Sequence, residues 1–216
     1  KKLWVERVFC CCLNFAIGMK YKARLVTLFV PWQSKRMKRM KQARMDTMNS
    51  EPVGDLRGSF LEAMSRAANS VYIVTTDGVA GRGGVTVTAF SSVSADVSEP
   101  RLLICMHHES STAQLIRANG VFCVNILSAA HEELSERFAG RRGKGEDRFA
   151  EGNWTRASSG LLRLEDALAS YDCRLSEQSL VGTHHVLFGA VQDVVLGPDA
   201  TPLLHTRRGY GQVAEG

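Results

Sequence analysis

The stretch Val85-Thr86-Val87-Thr88-Ala89-Phe90-Ser91-Ser92-Val93-Ser94 follows three closely spaced glycines, Gly81, Gly83 and Gly84, and ends six residues before Pro100. Its β-branched and aromatic residues predict a strand over Val85–Phe90 with a hydroxyl-rich end. Upstream, Val71-Tyr72-Ile73-Val74-Thr75-Thr76 is a second such run, closed by the turn signal Asp77-Gly78. Downstream, Arg101–Met106 and Val121–Leu127 read as strands, and Ala169–Leu175 alternates with Ser170, Asp172, Arg174 and Ser176 as a strand with one wet face. Val186–Leu196 is a longer strand and Leu203–His205 a short one. Between the strands, Ser59-Phe60-Leu61-Glu62 has the form of a capping box opening a helix that ends by Asn69, with Phe60, Ala63, Met64 and Ala67 on one face. Ser110-Ser111-Thr112 can cap a short helix through about Asn119, Ala129–Phe138 is a third helix, and the Gly-rich, charged segment Gly140–Asn153 fits an exposed loop. Six or seven strands, two or three short helices and no regular β-α-β alternation predict a mainly β chain folded as an antiparallel barrel.

Charge divides the chain. Residues 1–46 carry twelve Lys and Arg against Glu6 and Asp46, whereas residues 47–216 balance at −5. A nucleic-acid footprint belongs on the folded domain, so a basic terminus alone argues against a nucleic-acid partner. The apolar run Val8–Met19 is interrupted by Asn14 and is shorter than the roughly 20 residues that span a bilayer, which argues against a membrane role. Residues 1–50 are therefore read as a basic extension, disordered or non-native, and 51–216 as a single domain. Cys10, Cys11 and Cys12 fall in the extension, while Cys105, Cys123 and Cys173 each stand inside an apolar stretch as small buried hydrophobes. With no paired-ligand spacing, they imply no metal and a reducing, cytoplasmic setting.

No P-loop, nucleophile elbow, zinc-protease helix or dinucleotide fingerprint occurs. A chain without an evident acid, base or nucleophile set is a candidate for cofactor chemistry, in which the protein binds and orients. The densest polar cluster is Thr86, Thr88, Ser91, Ser92 and Ser94, with Ser110-Ser111-Thr112 second. Such residues are ordinary on strands and at caps, yet a helix start with free N–H groups and hydroxyls is also a phosphate site. Both readings stand on residue chemistry alone.

Motifs in series sharpen the choice. Phe60-Leu-Glu-Ala-Met-Ser-Arg66, Val74-Thr-Thr-Asp-Gly78, the Gly84–Ser94 stretch, Phe122-Cys-Val-Asn-Ile-Leu127, Leu134-Ser-Glu-Arg-Phe-Ala-Gly140 and Gly182-Thr-His184 occur in this order. In this the chain resembles the short-chain flavin reductases, FMN-binding split-barrel proteins that serve two-component monooxygenases, over about residues 58–213. It is especially similar to those of 4-hydroxyphenylacetate hydroxylation and pyrimidine utilisation. The resemblance implies a split β-barrel that reduces FMN or FAD with NADH or NADPH and hands reduced flavin to a monooxygenase, as a homodimer with the flavin near the subunit interface. It implies flavin contacts at Thr86, Val87, Thr88, Ala89, Phe90, Ser91, Ser92, Ile104 and Cys105, and flavin-phosphate contacts at Ser110, Ser111 and Thr112. His184 would position the nicotinamide, and Arg208, Gly209 and Tyr210 would help hold NAD(P)H. His185, His107 and His108 are read as surface or packing residues. The chain departs from the family pattern at Gly211, where relatives carry histidine, and at Thr88, where they often carry Asn or Ser. Some relatives reduce another acceptor, such as a cobalt corrinoid, through bound flavin, and a non-enzymatic flavin-binding module is a further alternative.

Overall fold

In a computed structural model of the chain, residues 55–96, 98–143 and 145–213 are described. The basic extension, its three cysteines and the domain boundary near residue 50 lie outside them. Helix α1 (Leu56–Ser65) precedes β1 (Asn69–Ser70), β2 (Tyr72–Thr76), β3 (Gly83–Val87), β4 (Phe90–Ser94) and β5 (Arg101–His107). Then come α2 (Ser111–Asn119), β6 (Val121–Ile126), a 3-10 turn leading into α3 (Glu132–Phe138), β7 (Trp154–Arg156), β8 (Leu162–Leu164), β9 (Ala169–Val181), β10 (His184–Leu196), β11 (Leu203–Thr206) and β12 (Gly209–Gln212).

Seven of these strands form one antiparallel sheet in the order β3-β2-β6-β9-β10-β5-β4. The expected single strand over Val85–Phe90 is thus two strands, broken at Thr88 and Ala89 and placed on opposite sheet edges. If flat, six spacings of about 4.8 Å would separate those edges by roughly 29 Å. The short link from Val87 to Phe90 reaches at most about 11 Å, so the sheet must curl until its edges meet. The Cys105 N–H donates to the Ala89 carbonyl at 3.0 Å, where the link crosses onto β5. Closure of the barrel is what breaks the strand.

Every residue of β2 is buried, because the strand feeds two cores. Tyr72 and Val74 face the barrel interior with Leu102, Ile104, Phe122 and Leu187, plugged by Ala113 and Ile116 of α2. Val71 and Ile73 face an outer core with Leu127, Leu134, Phe138, Leu164 and Leu203. Gly84 lets β3 approach that outer core, since a Cβ there would stand 2.5 Å from Phe138 Cε1. Truncating a side chain such as Phe122 to alanine costs about 3–5 kcal/mol at sites of this kind.

Several sequence expectations are corrected. Helix α1 starts at Leu56 after Asp55, so Ser59 and Glu62 lie inside it, and Glu62 instead pairs with Arg66 and Arg208. Its apolar face is not buried: Phe60 and Met64 are exposed. The strand at Ala169–Leu175 has no simple wet face. Ser170 and Asp172 are buried, covered by the β7–β8 hairpin that the sequence did not disclose. The segment Gly140–Asn153 is not wholly exposed, because Phe149 packs edge-on against Phe138 and Trp154. Strands number twelve among the described residues. None of the described helices is long and apolar enough to cross a membrane.

Candidate functional site

Helix α2 begins where β5 leaves the barrel. Ser110 caps it, its hydroxyl accepting from the Ala113 N–H at 3.4 Å. Ser111 is exposed, whereas Thr112 is only 2% exposed. Beside this helix start lies a cleft of about 400 Å³, lined in part by Arg82, Gly83, Ser111, Thr112, Arg148 and Phe149. Gly83 admits the helix, since a Cβ there would meet Leu115 Cδ1 at 2.7 Å and Thr112 Oγ1 at 3.3 Å. The Thr112 hydroxyl makes no hydrogen bond among the described residues, but it is not sealed off: the only fully buried side-chain atom without a partner in that set is Arg137 Nε, whereas Thr112 lines the cleft. Arg137 pairs with Glu146 and Glu151 and so ties the segment 145–151, whose residues 145–149 line the cleft, to α3.

The hydroxyl-rich stretch divides by its partners. Thr86 donates to the Ser135 carbonyl at 2.7 Å, so its hydroxyl serves the junction with α3. Val87 packs on the barrel interior, and Phe90 stacks on Tyr72 with centroids 4.5 Å apart. The surface is left to Ala89, Ser91 and Ser92, with the Ser91 hydroxyl donating to the Ser92 carbonyl at 3.1 Å. The N–H groups of Thr88 and Ala89 meet no backbone carbonyl among the described residues. On β5 the alternation puts Ile104 wholly inside the barrel and Cys105 half-buried on the outer face, opposite Val186. The Ile104 side chain is therefore a core residue. Burial raises the Cys105 thiol above its ordinary pKa, so it stays protonated at neutral pH.

Histidines gather where β5 and β10 pair, His184 standing opposite His107. The His107 and His108 rings stack at 4.8 Å, His184 meets His107 edge-on at 5.3 Å, and the Thr183 hydroxyl lies 3.0 Å from His184 Nδ1. Thus His184 and the α2 cap share one rim of the barrel. His185 points the other way and is buried, its Nε2 3.5 Å from Arg117 Nη1. Burial first, then the Arg117 charge and His108, hold its pKa below the ordinary histidine value. Among the described residues no His, Cys, Asp or Glu group is arranged to hold a metal ion.

Arg208, Gly209 and Tyr210 lie on the separate β1-β11-β12 sheet. Arg207 and Arg208 both take positive φ, 49° and 64°, in the two-residue turn between β11 and β12. That conformation favours Asn or Gly, so two arginines there are strained. Arg208 pairs with Glu62 at 3.0 Å. The Tyr210 hydroxyl lies 2.9 Å from Ser135 Oγ, and burial raises its pKa. Since Ser135 also receives Thr86, α3 joins the two predicted binding segments. A Cβ at Gly211 would meet nothing within 4 Å, so packing does not require glycine there. Sequence reasoning missed Arg82, Asp147, Arg148 and Phe149 at the cleft; the one local sign was an arginine set among glycines, Gly81-Arg82-Gly83-Gly84.

Comparison with known proteins agrees with this architecture. A family model described as "Flavin reductase like domain" matches residues 64–214. The chain is 44% identical over 152 residues to "FMN reductase (NADH) RutF" of Methylorubrum extorquens, covering 70% of this chain and 74% of that protein. It is 41% identical over 170 residues to the protein of the same name in Agrobacterium fabrum, covering 79% and 94%. Among solved structures, the flavin reductase PheA2 superposes with a TM-score of 0.66 at 30% identity, covering 74% of this chain and 99% of that one. The NADH:FAD oxidoreductase SgcE6 of Streptomyces globisporus gives 0.69 at 25% identity, covering 77% and 99%.

Proposed function

The chain belongs to the flavin reductase like family, and from that premise we propose that it oxidises NADH to reduce FMN and releases the reduced flavin to a partner monooxygenase. The observation that carries the site assignment is Thr112, a largely buried residue at a helix start whose hydroxyl lines a cleft and makes no hydrogen bond among the described residues. A hydroxyl uncommitted within the fold and facing a cavity is a donor ready for a ligand with acceptor oxygens. A helix N-terminus favours the same ligand, and a phosphate fits both. FAD remains a candidate substrate beside FMN, as the name of the Streptomyces relative suggests.

Flavin supplies the hydride acceptor and NADH the hydride. The chain binds and orients. The first turn of α2, with Ser111 and Thr112, would hold the flavin phosphate. The free N–H groups of Thr88 and Ala89 would donate to the polar edge of the flavin ring, the preorganised arrangement that favours charge developing there. His184 and Tyr210 would orient the nicotinamide without moving a proton. Alignment of two bound reactants with exclusion of water can supply about 7–11 kcal/mol of a barrier, so no strong acid is needed.

We place the flavin near a homodimer interface, a reading supported by the exposed Leu180 and Val181 at the tip of the β9–β10 hairpin. The free thiols of Cys105, Cys123 and Cys173 support a reducing, cytoplasmic compartment. The basic extension over residues 1–50 is treated as dispensable for this activity. Purified protein should quench FMN fluorescence and oxidise NADH only when flavin is added. Protein that does neither refutes the reading. Sedimentation should give twice the chain mass, and His184→Ala should raise the KM for NADH about tenfold while leaving flavin affinity unchanged.

A further inference from the structure

The cleft at the start of α2 is bordered by one charged pair that the fold does not depend on. Arg82 Nη2 lies 2.9 Å from Asp147 Oδ2, with side chains 43% and 53% exposed. Exposed pairs of this kind add little to stability, so this guanidinium can change partner at small cost. It is also held in place, lying over the Phe149 ring 4.7 Å from the centroid.

The other charged groups described at the cleft are committed. Arg148 donates to the carbonyls of Gly84 at 3.0 Å and Phe138 at 3.2 Å. Glu146 accepts from Arg137 at 3.0 Å. Among the described residues the cleft leaves free the first turn of α2, the uncommitted hydroxyl of Thr112 and one exchangeable guanidinium. A helix start, a hydroxyl and an arginine fork together match a phosphate monoester in charge and in donor geometry.

We propose that Arg82 selects the phosphate of the flavin and that Asp147 competes with that phosphate for it. This rests on the flavin reading above. With the cleft free, the guanidinium bonds Asp147; with flavin bound, it turns to the phosphate, and release restores the carboxylate pair. Asp147 thereby weakens the hold on flavin. For a protein whose product must leave for another enzyme, such a built-in competitor sets the rate of release.

The test measures dissociation constants of FMN and of riboflavin, which lacks the phosphate, for the full chain and three variants. Arg82→Gln should weaken FMN about tenfold and change riboflavin by less than about twofold, as expected for loss of one charge-assisted contact. Arg82→Lys should recover part of the loss. Asp147→Asn keeps an oxygen for the Phe149 N–H, which Asp147 Oδ1 now accepts at 3.1 Å. Removing its charge should tighten FMN by about threefold and slow its release, with riboflavin unchanged. Riboflavin binding serves as the control for folding. Equal losses for both flavins, an FMN affinity indifferent to Arg82→Gln, or weaker FMN binding by Asp147→Asn would each overturn the proposal. Unmodified protein that binds neither flavin overturns the flavin reading itself, and this inference with it.

Discussion

Two polar regions of the barrel are built from the same residue types and differ in what their hydrogen bonds leave over. Beneath the β7–β8 hairpin, Asn125 donates to the Ile73 carbonyl and accepts from the Leu164 N–H and the Ser170 hydroxyl. Thr75 donates to the Leu162 carbonyl at 2.6 Å, and Asp172 accepts from Ser159 and from Arg163. Each of these groups is answered by another part of the fold, and the answers fix where the hairpin sits. At the start of α2, by contrast, Thr112 is as buried a residue as Asp172, yet its hydroxyl lines the cleft and makes no hydrogen bond among the described residues. Satisfied polar burial is architecture, and an uncommitted hydroxyl lining a cleft is a candidate site. The contrast is one of accounting for donors and acceptors, not of composition.

The hardest blow to the first region is Asp172→Ala. Asp172 is 2% exposed and Arg163 12% at the side chain, so the substitution leaves a buried guanidinium with Asp193 as its remaining carboxylate. Removing one member of a buried pair costs about 3 kcal/mol or more. Urea denaturation should show a loss of that size, with NADH turnover per folded molecule unchanged. A loss in turnover instead would blur the distinction between the regions. Thr75→Val is the milder version. It keeps the volume, strands the Leu162 carbonyl and should cost about 1–2 kcal/mol by the same assay.

The two regions were unequally legible in the sequence, for a physical reason. The α2 cap and the strands β5 and β6 are local patterns, and they fold within a residue or two of where those patterns put them. Asp172 reads as solvent-facing because its partners, Ser159 and Arg163, belong to a hairpin too short to announce itself. The break at Thr88-Ala89 carries no Gly or Pro and is imposed by closing the sheet. The cleft pair Arg82–Asp147 joins segments 65 positions apart, which no spacing argument reaches. Serial motifs, through the resemblance they carry, pointed to Ser110–Thr112; only the hydrogen bonds distinguish Thr112 from Thr86 within that set of hydroxyls.

His185 sits between the two cases, buried yet with Arg117 as its one side-chain hydrogen-bond partner among the described residues. Its folded pKa is held below the ordinary value of about 6.5, so the fold prefers the neutral ring. The unfolded chain therefore takes up the proton first as pH falls. Stability from this residue is complete above about pH 6.5 and is lost as pH drops toward the folded pKa. Thermal midpoints of the wild type should fall more between pH 7 and 5 than those of His185→Gln. Parallel profiles for the two proteins would remove His185 from the account.

The smallest expected effect on stability is the sharpest test of the comparison. Thr112→Val keeps the shape of the side chain and deletes only the hydroxyl. If that hydroxyl belonged to a satisfied network, its loss would resemble Thr75→Val and cost about 1–2 kcal/mol. Because it makes no hydrogen bond in the described protein and is open to the cleft, the variant should unfold within about 0.5 kcal/mol of the wild type. FMN affinity should nonetheless fall about tenfold or more, the worth of one hydrogen bond to a charged acceptor. The two threonines then form a matched pair in which the same substitution moves stability at one position and binding at the other. If Thr112→Val lowered stability and left FMN affinity alone, the unanswered hydroxyl would be a flaw in the packing, and the cleft beside it would lose its claim to a ligand.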